Sequence, residues 1–374
     1  MSRAAFVYED QLSRHVLREG HPMVPARLRH TYELLEAVHA FGSPDSRLVT
    51  PRPASEEEVL MCHSSEYVAA VRALSQGLTI PNPGLYGFSQ DGDNPIYAGM
   101  YDAALLSTGA SLVATELVLD KEVDVAFNPS GGLHHAMRAS ASGFCIFNDP
   151  AIAIQAMRAR GLRVAYIDID AHHGDGVQAA FYDTDAVLTI SIHESGRYLF
   201  PGTGFVNELG TGAGAGYSVN VPLAPYTDDG VFQWAFQQVV PPLLKAYAPD
   251  ALVTQLGVDS HFLDPITNLA LTSAGYIDIV RSLAEEARGI PWVALGGGGY
   301  DLSAVARCWT LAYGVMAGQE WPDQVPGQPE HPGTTMFSDG EPPDIPANVR
   351  ETVHRFAEAS VQEVREQIFP YHGL

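Results

Sequence analysis

Arg163-Val164-Ala165-Tyr166-Ile167-Asp168-Ile169-Asp170-Ala171-His172-His173-Gly174-Asp175 passes from an apolar run directly into a dense set of acids and imidazoles. An apolar run that does not alternate reads as a strand buried on both faces, the habit of parallel sheets covered by helices. In such folds ligands gather outside the carboxyl ends of the strands, which is where these polar groups fall. Asp170 and His172 are two positions apart, so in extended geometry they project to one side.

The same pattern recurs along the chain. Strands are predicted at Ala4–Tyr8, Val123–Asn128, Arg163–Asp168, Ala186–Ile192, Tyr217–Val221, Ala251–Gln255 and Trp292–Leu295. Helical periodicity occupies Leu28–His39, Ala98–Leu119, Ala151–Arg160, Gly230–Ala246, Ser273–Arg288 and Ser303–Met316. Ser55-Glu56-Glu57-Glu58 reads as a capping box opening a further short helix. Strands alternating with helices predict an α/β fold around a mainly parallel sheet. Polar groups follow several strands: His134, Asp170 and His172, His193, Asp259 and Tyr300. Residues 1–320 are read as a catalytic domain. Residues 321–374 are read as a Pro-rich segment, Trp321–Pro346, and a C-terminal helix, Ala347–Ile368, packed on the same domain.

Composition excludes several classes. With 46% hydrophobic residues among 374 the chain is globular. Its net charge, 21 − 44 = −23, argues against a nucleic-acid partner, because phosphate neutralisation needs clustered Lys and Arg. Cys62, Cys145 and Cys308 lack paired spacing and read as buried free thiols. The N-terminus lacks the apolar segment of a signal peptide, and no stretch approaches the ~18–20 apolar residues of a membrane span. The expectation is a soluble, cytoplasmic protein with no membrane partner.

Asp170, His172 and Asp259 would supply two carboxylate oxygens and one imidazole nitrogen, the three protein ligands of a catalytic zinc site with a position left for water. A buried Asp–His ion pair without metal is the plain alternative, but it does not account for Asp259. His134 and His135 are candidate general acid/base groups, with Asp168 and Asp175 available to orient them. Tyr300 follows Gly296-Gly297-Gly298-Gly299, whose freedom lets backbone approach a crowded site. Its hydroxyl can donate to a developing oxyanion. No Lys-Ser/Thr follows the glycines, so a phosphate loop is excluded, and the Gly210–Gly216 alternation precedes a strand, unlike a dinucleotide fingerprint. No G-x-S-x-G nucleophile elbow is present, so the nucleophile is a metal-activated water.

Ordered motifs carry a resemblance to a known family. Ser130-Gly131-Gly132-Leu133-His134-His135-Ala136, Ser142-Gly143-Phe144-Cys145, Asp168 to Gly176, Gln255-Leu256-Gly257-Val258-Asp259 and Leu295 to Tyr300 closely resemble the zinc-dependent histone deacetylases. The similarity is to the bacterial acetoin-utilisation and histone-deacetylase-like branch, and runs from about Gly20 to Gly318.

The resemblance implies the arginase/deacetylase fold: a single-domain, three-layer α/β structure with a central, mostly parallel eight-stranded sheet. It implies one zinc per chain on Asp170, His172 and Asp259, with ferrous iron as the alternative in the cell. It implies hydrolysis of N6-acetyl-lysine in an acetylated protein or peptide, water being activated by His134 and His135 while Tyr300 holds the carbonyl. Asp168 would orient His134, and Asp175 would orient His135. The lysine stem would lie between Phe144 and Phe200, with Gly143 at the wall, Asp93 at the rim and Arg27 on an interior channel for acetate. A first potassium site would use Asp168, Asp170, His172, Ser191 and Ile192; a second would use Phe181, Thr184, Val187 and Tyr217. Asn94 replaces a Cys of the family after Asp93.

The division of labour between His134 and His135 stays open at this stage, with His135 favoured as base, and so does the oligomeric state. Three rivals are weighed. An arginase-like binuclear manganese hydrolase is disfavoured because Gly174 stands where a further carboxylate is wanted. An acetylpolyamine deacetylase would carry an acidic gatekeeper where Ile266 follows Asp264-Pro265. A non-catalytic acyl-lysine-binding module would have lost a ligand, a histidine or the tyrosine, and none is missing.

Overall fold

Alternate residues along each central strand face different cores. Ala165 and Ile167 pack in one hydrophobic cluster, while Val164 and Tyr166 pack in another. Leu252 against Ala251 and Val253 repeats the division, as does Ala294 against Val293 and Leu295. A sheet apolar on both faces must be covered on both, which gives three layers. The computed structural model describes residues 3–325 and 335–374; part of the Pro-rich segment, residues 326–334, lies outside them.

The strands are β1 (Ala4–Val7), β2 (Ser46–Val49), β3 (Val125–Asn128), β4 (Val164–Asp168), β5 (Val187–Glu194), β6 (Ser218–Leu223), β7 (Ala251–Gln255) and β8 (Trp292–Leu295). Their order across the sheet is β2-β1-β3-β8-β7-β4-β5-β6. Every pairing is parallel, where a mostly parallel sheet was expected. All carboxyl ends therefore share one edge. Register sets what meets there: Asp168 lies opposite Gln255 and Ser191, and Leu295 opposite both Asn128 and Gln255.

Helices start where side chains take up the free N–H groups of the first turn. Asn148 caps Asp149–Ala159, Asp228 caps Asp229–Tyr247, Thr272 caps Ser273–Glu286 and Asp301 caps Leu302–Ala317. The Ser55–Glu58 capping box is present and opens Glu56–Val59. The C-terminal helix, Ala347–Gln367, presents buried Val353, Ala357, Val361 and Val364, and Ser360 donates to the Pro222 carbonyl of β6.

Three readings need correction. β2 was not anticipated, because Ser46 and Arg47 give this edge strand no apolar run. The helix Ser65–Ser75 was also missed. Met100–Leu119 is long and apolar enough to cross a membrane by length and composition, although no such stretch was expected. It has 72% of its apolar window buried inside the protein, so its apolarity is that of a core helix.

Burial predicts where the sheet is vulnerable. Phe127 of β3 is fully buried between Phe6 and Trp309. Phe127→Ala should cost ~3–5 kcal/mol of stability, whereas Leu48→Ala at the 40% exposed edge of β2 should cost under ~1 kcal/mol by its smaller burial. Urea denaturation of the two variants checks the contrast.

Candidate metal centre

β4 and β7 run side by side, so the residues just past their carboxyl ends converge. Asp170 and His172 follow β4, and Asp259 follows β7. His172 Nδ1 lies 3.0 Å from Asp170 Oδ1 and 2.9 Å from Asp259 Oδ2. The three ligand atoms lie within 4.8 Å of one another, and this is the one such group among the described residues. Their free lone pairs are held in place. Asp170 Oδ2 accepts from Gln255 Nε2 at 2.5 Å and from Gly298 N at 2.8 Å, while Asp259 Oδ1 accepts from Ala171 N at 2.7 Å. A Cβ on Gly298 would collide with the Asp259 carboxylate, which explains why glycine is needed there.

Electrostatics constrain what this group could hold. Burial and the neighbouring Asp170 drive Asp259 well above the carboxylate range. Burial opposes the charging of His172, yet its bonds to Asp170 and Asp259 outweigh that and hold it well above the imidazole range. Two buried carboxylates thus demand positive charge between them. Two anionic oxygens and an imidazole nitrogen fit a divalent cation of the borderline, tetrahedral kind.

His134 and His135 follow β3. Asp168 Oδ2 lies 2.7 Å from His134 Nδ1, and Asp175 Oδ1 lies 2.7 Å from His135 Nδ1. Each ring donates Nδ1–H to its carboxylate, so both Nε2 atoms point inward and meet at 3.0 Å. That contact needs one further proton. Burial opposes it on both rings, but Asp168 and Asp170 overcome this for His134 and raise it to about 9. Burial, followed by the charge of His134, lowers His135 to about 4. The pair is therefore unequal: the aspartates around His134 favour its charged form, and burial beside that ring disfavours charge on His135.

The loop that presents the pair is tied from behind. Asp149, at the start of the helix after Asn148, accepts from Gly132 N at 3.0 Å, Leu133 N at 2.9 Å and Ser111 Oγ at 2.5 Å. Asn148 Nδ2 donates to the carbonyls of His134 and Ala136. Asn128 Oδ1 accepts from both Ser130 N and Ser130 Oγ.

Aromatic rings flank the centre. The Phe144 ring stands 5.8 Å from Tyr300, and the Phe200 ring 5.0 Å from His135 and 6.4 Å from His172. Gly143 lies so close to the His135 ring that a Cβ there would collide with it. Burial raises the Tyr300 hydroxyl well above its ordinary range, keeping it a proton donor. Asp264 fixes the tyrosine backbone: Oδ2 accepts from Tyr300 N at 2.9 Å and Oδ1 from Ile266 N at 3.0 Å. Phe200 and Ile266 reach the surface, being 43% and 36% exposed. Asp93 is exposed, its carbonyl accepting from His21 Nε2 at 3.1 Å, and Asn94 behind it is buried. Arg27 is buried behind Tyr300, donating Nη1–H to the Gly299 carbonyl at 3.0 Å and lying over the Trp309 ring. With Leu133, Phe144, Tyr97 and Met23 it lines a cavity of about 100 Å³.

The residues read for cation binding by backbone groups are neighbours too. Asp168 and Ser191 pair across β4 and β5, with Ile192 next to Ser191. Thr184 N reaches the Phe181 carbonyl at 3.4 Å in the turn before Val187, and the Tyr217 carbonyl accepts from Thr189 N at 2.9 Å. His193 needs correction: it lies within β5 and joins Ser191 Oγ at 2.8 Å to the Gly204 carbonyl at 3.0 Å, away from the metal group. Four supporting residues had no assigned role in the sequence: Asn128, Asp149, Gln255 and Asp264. Asn148-Asp149-Pro150 carried a readable helix-start signal; for the others the partner is visible only in three dimensions.

Comparison with known proteins shows the family. The histone deacetylase domain model matches residues 21–316. The acetoin utilization protein AcuC of Bacillus subtilis is 41% identical over 357 residues, covering 92% of each chain. Human histone deacetylase 1 is 36% identical over 328 residues, 87% of this chain and 66% of that protein. Among solved structures, a histone deacetylase homologue from Aquifex aeolicus superposes with a TM-score of 0.83 at 29% identity over 95% of this chain and all of that one. A homologue complexed with SAHA gives 0.85 at 30% identity, over 96% of this chain and all of its own.

Asp170→Ala and Asp259→Ala should each abolish stoichiometric divalent-metal binding, because a three-residue set that loses one ligand loses its geometry. Metal analysis of the purified variants checks this; full occupancy in either contradicts the assignment.

Proposed function

The chain belongs to the histone deacetylase family, and we propose that it hydrolyses the amide of N6-acetyl-lysine in proteins or peptides, with one zinc ion on Asp170, His172 and Asp259. The observation that carries the reading is the convergence of a two-carboxylate, one-imidazole donor set, an unequal histidine pair and a buried tyrosine hydroxyl in one place. An amide is a poor electrophile and water a poor nucleophile; a bound zinc ion polarises the one and acidifies the other.

The protein's own groups complete the reaction. His135, neutral and held by Asp175, takes the proton from water and returns one to the leaving amine. His134, charged and held by Asp168, stabilises the negative charge that develops beside it. The Tyr300 hydroxyl donates to the acetyl oxygen as it becomes an oxyanion. Phe144 and Phe200 enclose the aliphatic stem of the lysine and exclude water. Arg27 and the cavity it lines with Leu133 and Phe144 receive acetate. Potassium at the carbonyl groups around Asp168 and Ser191, and at those of Phe181, Thr184, Val187 and Tyr217, would brace the strand ends.

Acetylpolyamines are the second substrate class. Ile266, apolar at the rim, offers no anion for a distal ammonium, which favours a peptide. A binuclear centre finds no support, since the described residues hold one metal-capable group.

Tyr300→Phe should keep metal and fold but lower kcat by ~10²–10³-fold, the usual cost of an oxyanion donor. Metal content, kcat and KM of the purified variant check it; an unchanged kcat contradicts the role. SAHA, the compound in the similar structure, should inhibit the wild type, and its failure at millimolar concentration would count against access to the metal group between Phe144 and Phe200.

The rim yields a further expectation. If Asp93 accepts backbone amides of a bound peptide, Asp93→Ala should cost acetyl-lysine peptides ~1.5–3 kcal/mol in kcat/KM, the range of a charged hydrogen bond. Small acetamides should be spared. Ile266→Glu should move preference toward acetylspermidine. Parallel kinetics on the three substrates check both variants, and equal loss on all of them contradicts the rim assignment.

A further inference from the structure

The family match ends at residue 316, yet a side chain from the tail beyond it is buried against the metal-site loop. The Asp339 side chain is only 6% exposed. Its Oδ1 lies 3.0 Å from His261 Nε2, 2.7 Å from Arg307 Nη1 and 3.0 Å from Ser273 Oγ, and its Oδ2 accepts from Ser273 N at 2.5 Å. Ser273 opens a helix, whose N-terminus favours an anion. Leu263 N donates to His261 Nδ1, so Nε2 carries the proton and donates to Asp339. The histidine thus has one tautomer and one orientation.

His261 sits in the middle of the loop from Asp259 to Asp264. One end of that loop supplies a metal-site carboxylate, and the other holds Tyr300 N. Asp264 N donates to the His261 carbonyl at 2.9 Å, and His261 N to the Val258 carbonyl at 3.0 Å, so the loop turns on this residue. Arg307, the cation on Asp339, lies in the helix Leu302–Ala317 that follows Tyr300. One carboxylate therefore ties the loop after β7 to the helix after β8. We propose that Asp339 is a positioning residue of the metal centre, acting through His261 to set Asp259 and, through the same loop, Tyr300. The tail is then part of the catalytic unit, as well as a cover for the core.

The plain alternative is that Asp339 only anchors the tail. Asp323 supplies the comparison: it accepts from Ser338 N and Ser338 Oγ, both at 2.7 Å, pinning the same segment without touching His261. The experiment uses the full chain with Asp339→Asn, His261→Leu, His261→Gln and Asp323→Asn. Gln retains a side-chain N–H for Asp339; Leu does not. Metal-free proteins are titrated with Co²⁺, reading affinity by chelator competition and ligand geometry by the visible spectrum. kcat and KM for an acetyl-lysine peptide are measured on the loaded proteins.

Asp339→Asn and His261→Leu should each weaken Co²⁺ binding by at least ~10-fold, change its visible spectrum and lower kcat more than they alter KM, as residues that orient metal ligands do. His261→Gln should recover most of the loss, and Asp323→Asn should bind Co²⁺ like the wild type. The proposal is overturned if His261→Leu binds Co²⁺ like the wild type, or if Asp323→Asn falls as far as Asp339→Asn. Should Asp339→Asn fail to fold, the His261 pair decides. The activity arm rests on the deacetylase reading; the cobalt arm does not. A wild type inactive on the peptide would sink that reading and leave the positioning claim to the cobalt data.

Discussion

Asp170 and Asp259 are two carboxylates brought together out of water, and much of the structure around them offsets that. Burying an ion costs several kcal/mol after relaxation unless it is paired and hydrogen-bonded. Here Gln255, Gly298 N and Ala171 N satisfy oxygens that a cation does not reach, and His172 draws on both acids. A divalent ion supplies the opposite charge directly. The all-parallel sheet makes such a place possible, since every strand delivers its carboxyl end to the same edge.

The same low-dielectric setting separates the two histidines. Both are buried, both donate to an aspartate, and they differ in what else surrounds them. His134 feels Asp168 and Asp170 together; His135 feels Asp175 alone, beside a charged neighbour. Environment thus favours a proton on one ring and disfavours it on the other, a difference that His134-His135 as a dipeptide does not express.

The layers were legible because strands buried on both faces are rich in apolar residues, and Val164–Asp168, Val187–Glu194 and Ala251–Gln255, buried along their whole length, start with such runs. β2 was not, because an edge strand can be polar, as Ser46 and Arg47 are. At the site, residues with strong metal-ligating chemistry at strand ends were read as neighbours: Asp170 with His172 by their short spacing, and Asp259 with both by its place after β7. The supporting residues were not. Gln255, Asp264 and Asp339 each touch a partner at least 32 positions away. Their side chains are ordinary, and what distinguishes them is where their bonds end. His193 was misplaced for a related reason: a polar residue near a strand end reads as part of the site until its own partners, Ser191 and Gly204, are seen.

The central claim is that one divalent ion at Asp170, His172 and Asp259 turns this centre into an amide hydrolase for acetyl-lysine. The most direct measurement is a zinc titration of the metal-free wild type, following acetate release from an acetyl-lysine peptide. Activity should be absent without metal, rise in proportion to added zinc and level off at one equivalent. Turnover by the metal-free protein, or a rise that continues to two equivalents, would contradict the account.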